Sequence, residues 1–248
     1  MLPADLSTVA GCRPVELRLR DKSRPVDLLV NNAGSAPPKS FPENTAETEE
    51  AVLDLNVRAL LRLTHAALPG MVARRSGGVL NVASVAAPGP GWLASTYPAS
   101  KSWVLAFTES LGRSRHVLRA GVRMTVVLPG YTRTEFHARA GIATRNFPSW
   151  IWLSAERVAE TALRDLERGR TVSIPSTRYR LTGWALRHLP RPVVLPWCWD
   201  PSTTAEPGAG GATTCSHPLD ASADRADSES GGPRSRSTGP VRAVRPDH

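Results

Sequence analysis

The 248-residue chain is long enough for one large domain or two small ones, and its 41% of hydrophobic residues can form a sizeable core. The net charge of +9 comes from arginines that are scattered rather than clustered, which disfavours a nucleic-acid-binding protein. Three widely spaced cysteines exclude a disulfide framework, and no metal site is predicted.

The N-terminal segment carries acidic and basic residues where a signal peptide needs an apolar stretch. No apolar run approaches the length of a membrane span. We therefore expect a soluble, cytoplasmic protein with no integral membrane segment and no nucleic-acid partner.

The composition divides the chain into residues 1–195, expected to fold, and a low-complexity tail over residues 196–248. From Pro201 onward the tail is rich in Pro, Gly, Ser, Thr and Ala and has no aromatic residue. Such a segment buries too little apolar surface to offset its ordering entropy, so it is predicted to be disordered. Its glycine run, Gly208–Gly211, has neither a strand before it nor a helix after it and is not a phosphate loop.

Apolar runs and helical patterns alternate through the first part of the chain. Residues 26–30 predict a buried strand that ends at the polar turn Asn31-Asn32-Ala33-Gly34. An apolar stripe predicts a long helix over about 46–75, and residues 79–83 predict a second strand that ends at Ser84.

The alternation continues to about residue 189. The further elements are a helix over 96–118, a strand over 122–128, a helix from Ser154 to near Gly169, a strand over 171–174 and a helix over 178–189. Strands separated by helices of this length indicate an α/β fold with a parallel sheet.

Tyr97 and Lys101 are four residues apart at the start of a predicted helix, so their side chains share one face. An ammonium group beside a phenol favours the phenolate and is expected to lower the pKa of Tyr97. A tyrosine with a lowered pKa can act as a general acid or base near neutral pH.

Three predicted strands end in small or polar residues. These are Asn31–Gly34, Ser84 and the segment Pro129–Thr134. Open α/β sheets bind ligands at the carboxyl ends of their strands, so the three segments are expected to line one crevice together with Tyr97.

These elements, in this order, resemble the short-chain dehydrogenase/reductases. The resemblance rests on Asn31–Gly34, on Asn56 within Asp54-Leu55-Asn56-Val57, on Ser84, on the Tyr97–Lys101 pair and on Pro129-Gly130. It covers roughly residues 1–180. It implies a Rossmann-type, doubly wound parallel sheet and hydride transfer between NAD or NADP and an alcohol or carbonyl substrate.

The resemblance also implies roles for individual residues. Tyr97 would be the general acid/base, and Lys101 would lower its pKa and hold the nicotinamide ribose. Ser84 would hydrogen-bond the substrate oxygen, and Asn56 would hold a water molecule that links Lys101 to solvent. Besides Tyr97 and Lys101, the cofactor would contact Asp5, Asn32, Ala33, Gly34, Pro129, Gly130, Thr132 and Thr134.

The chain departs from the family pattern before Asn31. In the family, the fold begins with a strand, a glycine-rich loop and a helix, and the loop and helix bind the pyrophosphate. Here the first thirty residues contain a single glycine, Gly11. We expect an N-terminally truncated fold with weak cofactor binding and no readable preference between NAD and NADP. The strand over 26–30 would then be an exposed apolar edge, which is an aggregation hazard.

Other functions remain open at this level. A non-catalytic remnant of the fold would act, if at all, through protein contacts. A serine hydrolase using Ser84 is disfavoured because Ser84 lacks the GxSxG context of a nucleophile elbow. The family's habit of pairing helices implies a homodimer or homotetramer, which a truncated sheet need not form.

Two C-terminal stretches bear on the substrate and on partners. Residues 135–153 would roof the pocket, and Phe147, Trp150 and Trp152 suggest an apolar substrate. Four arginines beside two tryptophans would suit a surface that binds a membrane or a nucleic acid. The favoured interpretation is that this stretch forms the wall of a substrate pocket. The residues are Arg178, Arg180, Arg187 and Arg191, with Trp184 and Trp197.

Overall fold

Four parallel strands form a sheet in which sequence order is also spatial order. The computed structural model describes residues 1–89, 95–140, 148–194 and 196. The strands are β1 (Leu28–Asn31), β2 (Gly78–Val82), β3 (Arg123–Val127) and β4 (Val172–Ser173), hydrogen-bonded in the order β1-β2-β3-β4. All four predicted strands are confirmed, each within two residues. Apart from residue 196, the predicted disordered tail lies outside the described residues.

Helices connect and cover the strands. They are α1 (Val9–Arg20), α2 (Ala46–Leu53), α3 (Leu60–Ala73), α4 (Tyr97–Gly112), α5 (Arg115–Arg119), α6 (Phe136–Arg139), α7 (Ala155–Glu167), α8 (Thr177–His188) and α9 (Arg191–Val194). Short 3-10 turns occupy Phe41–Glu43 and Ser149–Ile151. No helix among the described residues has both the length and the apolar character needed to cross a membrane.

The two long predicted helices are each divided. The π-helical segment Asp54–Ala59 joins α2 to α3 within the predicted helix over 46–75. The helix predicted over 96–118 is divided because Ser114 caps the N-terminus of α5, accepting a hydrogen bond from the backbone of Val117. Ser154 caps α7 in the same way, through the backbone N–H of Arg157, as the sequence predicts.

Side chains alternate between the two faces of the sheet, and helices cover both. On one face, Val79 and Met124 pack with Leu63 and Met71 of α3. On the other face, residues of β2 and β3 pack with α7; they are Leu80 and Val127 against Ala162 and Val158. Helices on both faces of a parallel sheet make this a doubly wound α/β fold, as expected.

A chain of buried polar side chains ties β1 to β2 and to the helices above them. Asn31 donates from Nδ2 to Asn81 Oδ1 at 2.8 Å and to Thr64 Oγ1 at 3.1 Å. Asn81 in turn donates to Thr108 Oγ1 of α4 at 2.8 Å. Because buried polar groups are costly unless they are paired, these bonds favour one register between β1, β2 and the two helices.

The helix α1 was not predicted from the sequence. Pro14 lies inside it, and its inner face combines the buried Cys12 and Glu16 with the partly buried Val15 and Leu19. Glu16 is buried because its carboxylate pairs with Arg62 of α3 at 2.5 Å. A charged residue therefore occupies a position where hydrophobic periodicity would have indicated a helix.

The expected exposed edge is confirmed. Within the described residues β1 pairs only with β2, and the side chains on one face of this edge strand stay exposed. Leu28 and Val30 are 40% and 45% exposed as a result. An unpaired strand with apolar side chains in solvent is a template for self-association.

Replacing Val30 by lysine tests this edge. The substitution puts a charge on the open strand and should slow aggregation, measured by light scattering during warm incubation, while changing the free energy of unfolding by no more than about 0.5 kcal/mol. Leu118→Lys, at an apolar residue of α5 that is 58% exposed, is the matched control and should leave the aggregation rate unchanged. If both variants slow aggregation equally, aggregation does not proceed through the exposed edge of β1.

Candidate active site

Tyr97 and Lys101 lie together in the first turns of α4, as the spacing predicts. Pro98 follows Tyr97 at the start of the helix, where its missing N–H requires no partner. Both side chains are buried, with 7% of Tyr97 and 4% of Lys101 exposed. The Lys101 ammonium lies 5.7 Å from the centroid of the Tyr97 ring and donates to the carbonyl oxygen of Val82 at 3.1 Å. The pair therefore lies at the carboxyl end of β2.

Ser84 completes this group from the loop after β2. Its hydroxyl lies close enough to the Tyr97 hydroxyl to lower the pKa of that phenol. Its Oγ also accepts a hydrogen bond from the backbone of Ala86 at 3.2 Å, which orients the side chain. Two neighbouring hydroxyl groups can hold a single oxygen atom of a bound molecule between them.

Asn56 links the loop after β1 to the helix that carries Tyr97. Its Oδ1 accepts from the Ser35 N–H, and its Nδ2 donates to the Ser35 carbonyl, both at 2.9 Å. Nδ2 also donates to Ser100 Oγ at 3.0 Å, and Ser100 donates to the Tyr97 carbonyl at 2.7 Å. The side chain thus positions the site, and the water molecule expected at Asn56 remains a prediction. Ser35 and Ser100 were not singled out in the sequence because serines are common in loops and helices.

Gly34 allows the backbone to approach Lys101 closely. A Cβ atom at this position would lie 3.2 Å from Lys101 Nζ and 3.0 Å from Asn56 Oδ1. The neighbouring Asn32 and Ala33 are exposed at the same edge of the sheet. A stretch of backbone without a side chain, next to a buried cation, can contact a polar ligand.

Burial controls the electrostatics of the pair. Desolvation raises the pKa of Tyr97 to about 12, and the Ser84 hydroxyl offsets only part of this. Desolvation also lowers the pKa of Lys101 to about 8. The structure differs here from the expectation that the pKa of Tyr97 is lowered, because the loss of water around the phenol is the largest effect on it. At neutral pH Tyr97 holds its proton and Lys101 is mostly charged.

The segment after β3 is held by Tyr179 of α8, which was not predicted. The Tyr179 hydroxyl accepts from the Tyr131 N–H at 3.2 Å and donates to the Ile151 carbonyl at 2.6 Å. A Cβ atom at Gly130 would lie only 2.1 Å from carbons of the Tyr179 ring, so only glycine fits there. No local pattern could have found this contact, because 48 residues separate Tyr131 from Tyr179.

Within this segment, Thr132 and Thr134 make local hydrogen bonds. Thr132 Oγ1 donates to the Gly130 carbonyl at 3.0 Å, and Thr134 Oγ1 accepts from the Phe136 N–H at 3.3 Å. The backbone of Pro129 accepts from the Val85 N–H at 3.0 Å, which holds the segment beside the Ser84 loop. Contacts of these residues with a cofactor remain predictions.

A buried carboxylate on α2 fixes the residue before Tyr97. Glu49 accepts hydrogen bonds from the Thr96 hydroxyl and from Asn44 Nδ2, the latter at 2.7 Å. Glu49 is only 5% exposed, so these hydrogen bonds compensate for the water that its side chain has lost. Thr96 is thereby held at the N-terminus of α4. The sequence does not indicate this role of Glu49, since a glutamate on a helix usually faces solvent.

A series of neighbouring aromatic rings leads from Tyr97 through Phe136 and His137 to Trp152. Phe136 lies with its ring centroid 6.0 Å from that of Tyr97. His137 lies 5.6 Å from Tyr131 and 5.1 Å from Trp152, and burial lowers its pKa. Trp152 packs with Tyr131 and His137, and its expected place in the roof of a substrate pocket remains a prediction. Trp150 is 65% exposed, and Phe147 lies outside the described residues.

Asp5 lies in the turn before α1. Its carboxylate accepts from the Ser7 N–H and hydroxyl at 3.0 and 2.6 Å, and these bonds lower its pKa. The bonds are local and do not join Asp5 to the group around Tyr97. Its expected contact with adenine stays a prediction. Within the described chain, no group of three or more His, Cys, Asp or Glu is arranged to hold a metal ion.

Known proteins with similar sequences include several oxidoreductases. A family model described as short chain dehydrogenase matches residues 1–144. An uncharacterized oxidoreductase from Staphylococcus saprophyticus is 28% identical over 163 residues, which are 66% of this chain and 67% of that protein. The NADP-dependent 3-hydroxy acid dehydrogenase YdfG of Escherichia coli is 33% identical over 143 residues, 54% of this chain and 56% of that protein. The chain thus spans about half to two thirds of the length of these relatives.

A solved structure extends the similarity further along the chain. A short-chain dehydrogenase from Sphingobium yanoikuyae in complex with NADPH is 30% identical and superimposes with a TM-score of 0.66. The superposition covers 85% of this chain and 78% of that one.

Tyr179→Phe tests the hold of α8 on the segment after β3. The substitution keeps the ring over Gly130 but leaves the Tyr131 N–H and the Ile151 carbonyl without their partner. We expect a loss of about 1–3 kcal/mol in the free energy of unfolding, measured by urea denaturation. Thr182→Ala, on the exposed side of the same helix, should cost no more than about 0.5 kcal/mol. Equal effects of the two variants would show that the Tyr179 hydroxyl contributes nothing.

The lowered pKa of Lys101 predicts a dependence of stability on pH. Between about pH 7 and 9 the unfolded chain keeps the Lys101 proton while the folded chain releases it, so stability rises with pH. The wild type should gain about 1 kcal/mol over this range relative to Lys101→Met, measured by urea denaturation at each pH. Lys22→Met, at an exposed lysine, should behave as the wild type does. A constant difference between wild type and Lys101→Met would mean that Lys101 does not titrate in this range.

Proposed function

The chain belongs to the short-chain dehydrogenase family, and from this premise we propose that it is an NAD(P)-dependent oxidoreductase acting on an alcohol or carbonyl substrate. The observation that carries the proposal is the buried group at the carboxyl end of β2, where the Ser84 hydroxyl is near the Tyr97 hydroxyl and the Lys101 ammonium lies 5.7 Å from the centroid of the Tyr97 ring. A bound nicotinamide cofactor supplies or accepts the hydride. The chain supplies the proton and the geometry.

In the reducing direction, Tyr97 acts as the general acid. Its pKa of about 12 keeps the hydroxyl protonated at neutral pH, so a proton is available for a carbonyl oxygen that gains negative charge. Ser84 donates a second hydrogen bond to that oxygen. The resulting charge on Tyr97 is stabilised by Lys101, which is mostly protonated at pH 7.

The residues at the carboxyl edge of the sheet fit a dinucleotide. Gly34 provides a floor without a side chain beside the Lys101 ammonium, which suits contact with the hydroxyl groups of a ribose. Asn32 and Ala33 are exposed next to it on the adenosine side of the proposed site. Asp5 is proposed to contact adenine, and Pro129, Gly130, Thr132 and Thr134 to border the nicotinamide.

The relatives support both the reaction class and the cofactor. The Escherichia coli relative is an NADP-dependent dehydrogenase, and the Sphingobium structure contains NADPH. We propose a nicotinamide cofactor for this chain, either NAD or NADP. The ring of Phe136 near Tyr97, with Tyr131 and Trp152 behind it, supports a substrate with an apolar group next to its carbonyl carbon.

Tyr97→Phe is the test of this proposal. The full chain is titrated with NADPH and NADH to millimolar concentration by fluorescence, and turnover is assayed with acetoacetyl-CoA and with an aromatic ketone. We expect Tyr97→Phe to lower kcat by about 10²–10⁴-fold, because the general acid is lost, while cofactor binding changes little.

Two outcomes would overturn the proposal. No binding of either cofactor at millimolar concentration would leave a non-catalytic member of the fold that acts, if at all, through protein contacts. Unchanged turnover in Tyr97→Phe would exclude Tyr97 as the proton donor. Ester hydrolysis without a dinucleotide, lost in Ser84→Ala, would instead indicate a hydrolase.

A further inference from the structure

Helix α8 has one face packed on the fold and one face in solvent. Its inner residues include Tyr179, which binds the segment after β3, and Gly183, which lies against Pro88 and Ile174. A Cβ atom at Gly89 would come within 2.8 Å of the Leu186 carbonyl, so the loop after β2 also packs closely on this helix. These contacts fix the orientation of α8 and leave its opposite face uncovered within the described chain.

The uncovered face carries large apolar side chains. Leu181 is 67% exposed and Trp184 is 53% exposed, and Val193 of α9 is 54% exposed. The Trp184 ring stacks on His188 with centroids 5.4 Å apart, which holds the indole along the surface of the helix. Exposed apolar residues that cluster on one helix face usually mark an interaction surface.

The same face is strongly basic. Residues 168–196 contain six arginines and no acidic residue. Within the described residues Arg180, Arg187 and Arg191 have no carboxylate within 4.0 Å, whereas elsewhere Arg62 pairs with Glu16 and Arg58 with Asp54. We call this surface the α8 outer face, defined by Arg180, Leu181, Trp184, Arg187, Arg191 and Val193.

The N-terminal end of α8 brings in a second exposed tryptophan. The Arg178 guanidinium lies 5.8 Å from the centroid of the Trp150 ring and also donates to the Trp150 carbonyl. Trp150 itself is 65% exposed. Indole rings and arginines at one surface are the combination enriched where proteins meet the interface of a lipid bilayer.

We propose that the α8 outer face docks onto an anionic lipid surface. Trp184, Leu181 and Val193 would enter the boundary between headgroups and acyl chains, and the arginines would bind the phosphate groups. The charges are complementary, since anionic lipids are negative and the arginines of this face have no carboxylate partner among the described residues. A nucleic acid would match the arginines but not the exposed aliphatic side chains, so lipid is the partner that uses the whole face.

The docked helix would lie along the membrane rather than across it. At twelve residues α8 is too short to span a bilayer, and its inner face stays engaged by the fold. Because Tyr179 on that inner face holds the segment after β3, docking would bring the candidate active site near the lipid surface.

Vesicle binding by the full chain tests the proposal. Flotation is measured with vesicles of phosphatidylcholine alone and with vesicles of phosphatidylcholine and phosphatidylglycerol in equal parts. Each arginine contributes roughly fivefold to partitioning onto an anionic surface, so Arg180→Gln/Arg187→Gln should weaken binding about 25-fold. Leu181→Ser/Trp184→Ser should weaken it at least about tenfold. Arg115→Gln/Leu118→Ser, a matched exposed pair on α5, should bind as the wild type does.

We expect binding only to vesicles that contain phosphatidylglycerol, with release by added salt. Absence of binding, or binding that neither α8 double variant weakens, would overturn the proposal. Binding of duplex DNA without binding of vesicles would assign the face to nucleic acid instead. Self-association that Leu181→Ser/Trp184→Ser abolishes, without vesicle binding, would assign it to a second copy of the chain.

Discussion

The amide of Asn56 is the interaction on which the geometry of the candidate site depends. Through Ser35 it holds the loop that follows β1, and through Ser100 it holds the first turn of the helix that carries Tyr97 and Lys101. The π-helical segment Asp54–Ala59 carries this side chain at the turn between α2 and α3. π-Helical turns occur often at functional sites because they shift a side chain out of the regular helical positions. The same arrangement leaves little room for a side chain at position 34, where the chain has glycine.

Burial then decides the protonation of the groups that Asn56 brings together. Tyr97 and Lys101 both lose water, which favours the neutral form of each. The resulting pKa of Tyr97 lies far above pH 7, whereas that of Lys101 lies only slightly above it. The phenol is firmly protonated, whereas the ammonium retains most of its charge. A protonated donor beside a cation suits the reduction of a carbonyl group, the reaction that we propose.

Helix α8 connects this site to the surface of the protein. Tyr179 reaches inward to the segment after β3, and Gly130 is small because that ring lies against it. Trp184 and Leu181 point away from the fold, among arginines without acidic partners in the described chain. One short helix therefore has a structural role on one face and, in our proposal, a lipid-binding role on the other.

The sequence by itself determined the strand positions, the α/β class with a parallel sheet and the grouping of Ser84, Tyr97 and Lys101, because periodicity, capping and strand ends are local signals. It did not reveal α1, whose buried Glu16 is neutralised by a residue 46 positions away. Nor did it reveal Tyr179, Glu49 or Ser100, which gain their roles only from partners distant in the chain. The pKa of Tyr97 was misjudged for the same reason. Spacing shows that a lysine is near, but only the packed structure shows how much water the phenol has lost.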